Sequence, residues 1–267
     1  MNELETYYPR FSQIKTNAQI NFKLKWTIKL YGANAFCTFI PKNACTSLRY
    51  SAAIKNNVLQ INPNNLDWVH NNNPSFNINI EEAITSSYTF VFLRCPISRI
   101  ISTFLDKFLS KDREAWIFRD FVGRSVDLDD LTFQKFVQLI SEKPRLAELD
   151  AHWTPQNKFL LIKQYSNYFC VEELDKAKEI LKNRINMDLL DTRSISRHTT
   201  NHFIKKKIEN AFNIPAYELY KIKKEEGFVP NNASMINQEL LKALEKIYSD
   251  DIEIYKEKFS SKNLFHI

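Results

Sequence analysis

Residues 22–31, FKLKWTIKLY, alternate apolar and basic side chains, the period-two pattern of a half-buried strand. A short apolar run, AFCTFI at 35–40, follows and stops at Pro41, as a buried strand does on entering a turn. Helix-forming residues occupy Ser47–Lys55, so this region predicts strand, tight loop, helix. Residues 56–79 are rich in Asn, contain two Pro and predict irregular structure, ahead of a short amphipathic helix at 80–86. Tyr88–Arg94 (YTFVFLR) is β-branched and aromatic with no breaker, the pattern of a buried strand. After Pro96, apolar residues at Ile97, Ile100, Ile101, Phe104, Leu105, Phe108 and Leu109 recur at helical intervals, with proline at the helix start. A helix at 131–141, a strand at Tyr168–Glu172, a helix at Leu174–Asn183 and one or two helices over 236–259 complete the pattern, while 191–232 is polar and poorly periodic. No repeat or linker divides the chain. Strands alternating with helices predict an α/β architecture, a mainly parallel central sheet with helices on both faces. One domain is expected over residues 1–267, with its core at about 22–260.

Composition narrows the chemistry. A hydrophobic fraction of 44% over 267 residues is enough for a real core, and with 3 Gly in the chain any anion-binding loop must be built without a glycine-rich run. The net charge of +6 suits an anionic partner, yet the basic residues form no stripe, so nucleic acid is not the expected one. Cys37, Cys45, Cys95 and Cys170 are scattered, with no CxxC pair and no His/Cys cluster, which predicts reduced thiols and no metal site. The acidic N-terminus lacks a signal-peptide pattern, and no stretch approaches the ~20 apolar residues of a membrane span. A cytoplasmic location is expected, with any membrane contact peripheral.

Two constellations carry chemistry. Pro41-Lys42-Asn43-Ala44-Cys45-Thr46-Ser47 lies between a buried strand and a helix. A helix start offers unpaired N–H groups and the positive end of a dipole, so it suits a phosphate; Lys42 adds a charge, Thr46 and Ser47 add hydroxyls, and small Ala44 and Cys45 let the backbone curl. The nucleotide-hydrolase loop instead places Lys directly before Ser/Thr, which weakens an ATPase reading. Alone, the segment is equally an ordinary strand–helix turn with a capping Ser or Thr. One strand later, Arg94 closes YTFVFLR, and Ser102 lies eight residues on in the following helix. An arginine at a strand's C-terminal end faces the crevice where open α/β sheets bind ligands, and its planar fork matches phosphate. The bland alternative leaves Arg94 and Arg99 as surface charges.

With these segments in view, the chain resembles the carbohydrate sulfotransferases, of the Golgi type but in a soluble, bacterial-style form. Pro41–Ser47 with Arg49 is similar to their PKxACTxxK/R loop, and FVFLRCPISRIISTFLDKF resembles FVRDPxxRLxSxYxxKF. Asp150-Ala151-His152-Trp153-Thr154-Pro155-Gln156 resembles their HWxPQ element, NYFCVEELDKA their strand and acidic helix, and IYSDDIEIYKEKF their closing pattern. The matches come in family order across about residues 36–259. The resemblance implies a P-loop-like sulfotransferase fold and 3′-phosphoadenosine 5′-phosphosulfate (PAPS) as donor, released as PAP, with no metal. It assigns Lys42, Asn43, Ala44, Cys45, Thr46, Ser47 and Arg49 to the 5′-phosphosulfate, and Arg94 and Ser102 to the 3′-phosphate. Departures are Cys95 for the usual Asp, Ser98 for the acidic residue before Arg99, and Ala151 for Glu before His152.

The expected reaction is in-line sulfuryl transfer to a hydroxyl of a carbohydrate or glycolipid acceptor, with Lys42 stabilising the leaving phosphate. Of His70, His152, His198, His202 and His266, His152 is the candidate base, because imidazole titrates near neutrality and this one sits in a family element. The competing role for His152 and Trp153 is structural. Arg193, Arg197 and His198 lie in a polar stretch that could close over a ligand. Rival readings are a P-loop-like kinase, which would need a metal-holding carboxylate, and a sulfotransferase-like binding protein without catalysis, for which Cys95 is the warning sign.

Overall fold

The computed structural model describes residues 1–5, 16–62, 66–192, 203–261 and 263–265. The chain forms two compact units, Met1–Arg94 with Gln156–Ser196, and Cys95–Pro155 with Arg197–Ile267.

The first unit is built on a four-stranded sheet in the order β1-β2-β3-β4. Its first helix, α1 (Ala18–Leu24), starts at Asn17, whose side chain accepts from the amides of Gln19 and Ile20. That cap corrects the expected strand over 22–31: the alternation at 22–25 belongs to the end of a helix, and only β1 (Thr27–Leu30) is extended. β1 runs antiparallel to β2 (Ala35–Thr38), which is followed by α2 (Cys45–Lys55). The stretch read as irregular contains α3 (Leu66–Asn72) and a 3-10 turn over Asn73–Phe76. Its Asn content misled, because Trp68, Val69 and Phe76 supply an apolar face that packs on the core. Then α4 (Ile80–Thr85) opens with a capping box between Asn79 and Glu82.

β3 (Tyr88–Leu93) is parallel to β2 on one side and to β4 (Asn167–Cys170) on the other. Being central, all six of its residues are buried, which explains why it reads as an unbroken apolar run. Phe90, Phe92 and Phe169 pack together there, with Phe92 and Phe169 ring centroids 5.2 Å apart. The sheet is thus mixed but mostly parallel and flanked by helices, as expected of an α/β protein.

In the second unit, α5 (Pro96–Thr103) begins on Pro96 and runs into a π turn over Phe104–Phe108. Two amphipathic helices, α6 (Arg113–Val122) and α7 (Phe133–Glu142), pack Phe118, Phe133 and Phe136 against Phe104, Phe108 and Trp153. Back in the first unit, α8 (Leu174–Ile185) follows β4. The polar region beyond holds a parallel pair, β5 (Ile204–Lys206) and β6 (Phe228–Pro230), separated by α9 (Ala216–Lys221). Two helices, α10 (Gln238–Ile247) and α11 (Ser249–Phe259), close the second unit. Among the described residues no helix is long and apolar enough to cross a membrane.

Candidate functional site

Between β2 and α2 the chain turns through Pro41–Ala44, and this turn is built from left-handed residues without glycine. Lys42 has φ 70° and Ala44 φ 55°, while Asn43 between them does not take positive φ. Alternation of this kind turns successive backbone N–H groups toward one concavity, a nest for an anion. Each left-handed non-glycine residue costs on the order of 1 kcal/mol. Ala44 is the N-cap of α2 and makes no side-chain cap bond. The first helical amides, those of Cys45, Thr46 and Ser47, have no acceptor within the helix, so an anion is a natural cap for them.

Two buried amides hold the strained turn in place. Asn43 is 0% exposed, and its Nδ2 donates to the carbonyl of Phe92 at 2.8 Å and to Oε1 of Gln156 at 2.5 Å. The same Oε1 accepts from the Arg94 amide at 3.0 Å, while Gln156 Nε2 donates to the Arg94 carbonyl at 2.9 Å. Arg94 in turn donates from Nη1 to the Lys42 carbonyl at 3.0 Å. The loop after β2 and the end of β3 are therefore one hydrogen-bonded assembly. It joins the Lys42 main chain to Arg94, residues that the sequence assigns to the 5′-phosphosulfate and the 3′-phosphate respectively, and both are half-buried.

The remaining loop residues divide. Cys45 and Thr46 are half-buried at the helix start. The Ser47 hydroxyl lies 2.8 Å from Thr192 Oγ1 and accepts from the Thr192 amide at 3.1 Å, so its offering to an anion is its amide. Arg49 is directed elsewhere: it donates to the Val69 carbonyl, contacts His70 Nδ1 at 3.2 Å and lies over the Phe39 ring at 5.0 Å. Its geometry is that of a strut between α2 and α3.

In the second unit, Ser102 is half-buried on α5. Arg99, one turn earlier, is no surface charge: it is 2% exposed and donates to the carbonyls of Thr154 at 2.8 Å and Ala151 at 2.9 Å. Thr103 Oγ1 donates to the His152 carbonyl at 2.9 Å, and Tyr248 donates to that of Trp153 at 2.8 Å. Burial raises the Tyr248 phenol well above its ordinary pKa, which keeps it a donor. Trp153 is itself fully buried, its indole N–H on the Leu146 carbonyl at 2.6 Å. The 151–154 turn is thus clamped carbonyl by carbonyl, and it presents His152 half-buried.

Asp150 Oδ1 accepts from the His152 amide at 2.9 Å and lies 2.7 Å from His152 Nδ1. Burial pushes the Asp150 carboxyl up, but its hydrogen bonds to His152 and the charges of His152 and Lys107 outweigh that, leaving it below its ordinary value. Burial likewise lowers Lys107, and Asp106, Asp112 and Glu114 more than reverse the effect, raising it. His198, His202, His266, Arg193 and Arg197 lie outside the described residues.

Sequence reasoning missed the structural parts of Gln156, Arg99 and Asp150. The available signal was polar residues set among apolar ones in short segments, which burial makes obligatory hydrogen-bonding partners.

Left-handed residues at a helix start, on the loop after a parallel strand and bonded to an arginine at the next strand's end, make a geometry that suits an anion on an α/β frame. The model of the sulfotransferase family matches residues 27–259, and the chain belongs to that family. No curated protein and no solved structure matches it. The chain is therefore a transferase of the sulfotransferase class.

Proposed function

We propose that this protein transfers a sulfuryl group from PAPS to a hydroxyl of a carbohydrate or glycoconjugate. The observation that carries the donor assignment is the glycine-free nest bonded to Arg94 through Asn43 and Gln156. It supplies oriented amides, the Lys42 ammonium and the Arg94 fork, which suit a ligand bearing phosphate groups. Membership of the sulfotransferase family supports PAPS over a nucleoside triphosphate. The assignment of Ser102 to the 3′-phosphate rests on the sequence resemblance, as does the carbohydrate class of the acceptor.

In the reaction, the acceptor oxygen attacks sulfur, the S–O bond to the 5′-phosphate breaks, and its electron pair leaves with PAP. Lys42 stabilises that leaving charge, and the acceptor's proton passes to His152. Calorimetry with PAP against ATP tests the donor half. Binding of PAP with none of ATP is expected; equal binding of the two, or of neither, would remove it. For Lys42→Ala, turnover falls by about 10²–10³, and near-normal turnover would sink the role of Lys42.

A further inference from the structure

We propose that Asp150 is a positioning residue that fixes the tautomer of His152, holding the proton on Nδ1 and leaving the Nε2 lone pair as the site that accepts the acceptor's proton. The inference rests on the reading of His152 as base and says how this chain makes the imidazole competent. An ionised carboxylate can only accept, so at 2.7 Å from Asp150 Oδ1 the Nδ1 of His152 must be the donor. The same oxygen also accepts the His152 backbone amide at 2.9 Å, so ring and main chain are referred to a single atom. The clamped carbonyls of Ala151, His152, Trp153 and Thr154 fix the backbone from which the ring projects.

The surroundings fit proton handling. Glu114 Oε1 lies 3.7 Å from His152 Nδ1, on the same side as Asp150. Lys107 lies 3.7 Å from Glu114 Oε1, 3.0 Å from Asp112 and 3.9 Å from Asp106. The ligand atoms of Glu114, Asp150 and His152 fall within 4.8 Å of one another, a spacing that would also suit a cation. Here Lys107 already supplies positive charge against Glu114, and Nδ1 is engaged by Asp150. When Nε2 takes the acceptor's proton, the Nδ1–H bond persists and Asp150 faces the new imidazolium charge, an arrangement that stabilises it.

The test reads the tautomer directly. Imidazole ¹⁵N spectra of the whole protein, with His152 assigned by difference from His152→Ala, are expected to show an Nδ1–H neutral ring. In Asp150→Ala the ring loses its acceptor at Nδ1, so the neutral ring should shift toward the Nε2–H form. Turnover should then fall by about 10²–10⁴, as expected of a base held in the wrong tautomer, with PAP affinity within twofold. An Nε2–H ring in the unmodified protein overturns the proposal, and needs no variant to fold. An unchanged tautomer in Asp150→Ala overturns it as well, as does turnover there within threefold of normal while His152→Ala is inactive. Full turnover in His152→Ala with an Nδ1–H ring in the unmodified protein would fail differently, since it removes the base assignment on which the proposal stands.

Discussion

Replacing Gln156 by Leu tests whether the donor loop is held by the amide assembly. The substitution keeps most of the side-chain volume, so cavity formation contributes little. It strands three groups: the Arg94 amide and carbonyl and one hydrogen of Asn43 Nδ2, which keeps its bond to Phe92. A fully buried unsatisfied group costs roughly 1–3 kcal/mol. The Arg94 groups are only partly buried and water can reach them, so the lower end applies and the sum is about 3 kcal/mol. Urea denaturation should show a lower midpoint with an unchanged slope. The released loop no longer presents its amides in register, so PAP affinity should fall by tenfold or more, each 1.4 kcal/mol being a factor of ten. A midpoint shift worth less than about 0.5 kcal/mol, the range of an ordinary surface change, together with unaltered PAP binding, would refute the reasoning.

Other consequences concern strain, charge and the second unit. Ala44→Gly relieves the left-handed strain but adds unfolded-state entropy of about 0.5–1 kcal/mol, so stability should stay within ~1 kcal/mol; Ala44→Val should weaken both stability and PAP binding, and equal tolerance of Gly and Val would contradict the φ of 55°. Lys107 has a raised pKa, so its stabilising contribution is complete below 10.5 and lost as pH climbs through the folded-state value. The stability gap between the unmodified protein and Lys107→Met, followed by denaturation against pH, should therefore close above pH 10.5. Asp150 is lowered, so its contribution is present above 3.8 and lost as pH falls further; the gap to Asp150→Asn should close only at that acid end. Ser102→Ala should reduce PAP affinity several-fold without moving the denaturation midpoint, and calorimetry beside a melt separates the two.

Much of the fold could be read from the chain because the central strands β2 and β3 are short and buried on both faces. β3 is central, and its six apolar residues announce it. The failures are physical. The alternation FKLK satisfied a strand pattern over only four residues, and the cap at Asn17 decided for helix. The Asn-rich stretch hid α3, because a seven-residue helix gives little periodicity to detect. At the site, charged and hydroxyl residues were legible as types, but their partners were not. Arg49 and Arg94 look alike in sequence, and only packing sends one to Val69 and His70 and the other to Lys42. Arg99 stayed open to a surface-charge reading because a guanidinium buried on carbonyls leaves no trace in hydrophobic periodicity.

The glycine-free loop and the buried amides explain one another. Two left-handed residues, Lys42 and Ala44, store roughly 2 kcal/mol between them. Opposing that strain are the two bonds of Asn43 Nδ2, the two main-chain bonds of Gln156 to Arg94, and Arg94 to the Lys42 carbonyl. At about 1 kcal/mol net each, these bonds exceed the strain, so the nest exists before any ligand arrives. A glycine-rich loop would carry no such strain but would have to be ordered by its anion, a cost that lowers affinity. The same logic governs the 150–154 turn, where Arg99, Thr103 and Tyr248 fix the carbonyls beneath His152. In each unit the candidate side chain, Lys42 or His152, is half-buried, while Asn43, Gln156, Arg99, Thr103 and Tyr248, which fix the backbone around it, are buried. Variants of these backbone-fixing residues should therefore impair function without touching Lys42 or His152, and measuring their turnover and PAP affinity beside those of Lys42→Ala and His152→Ala tests that directly.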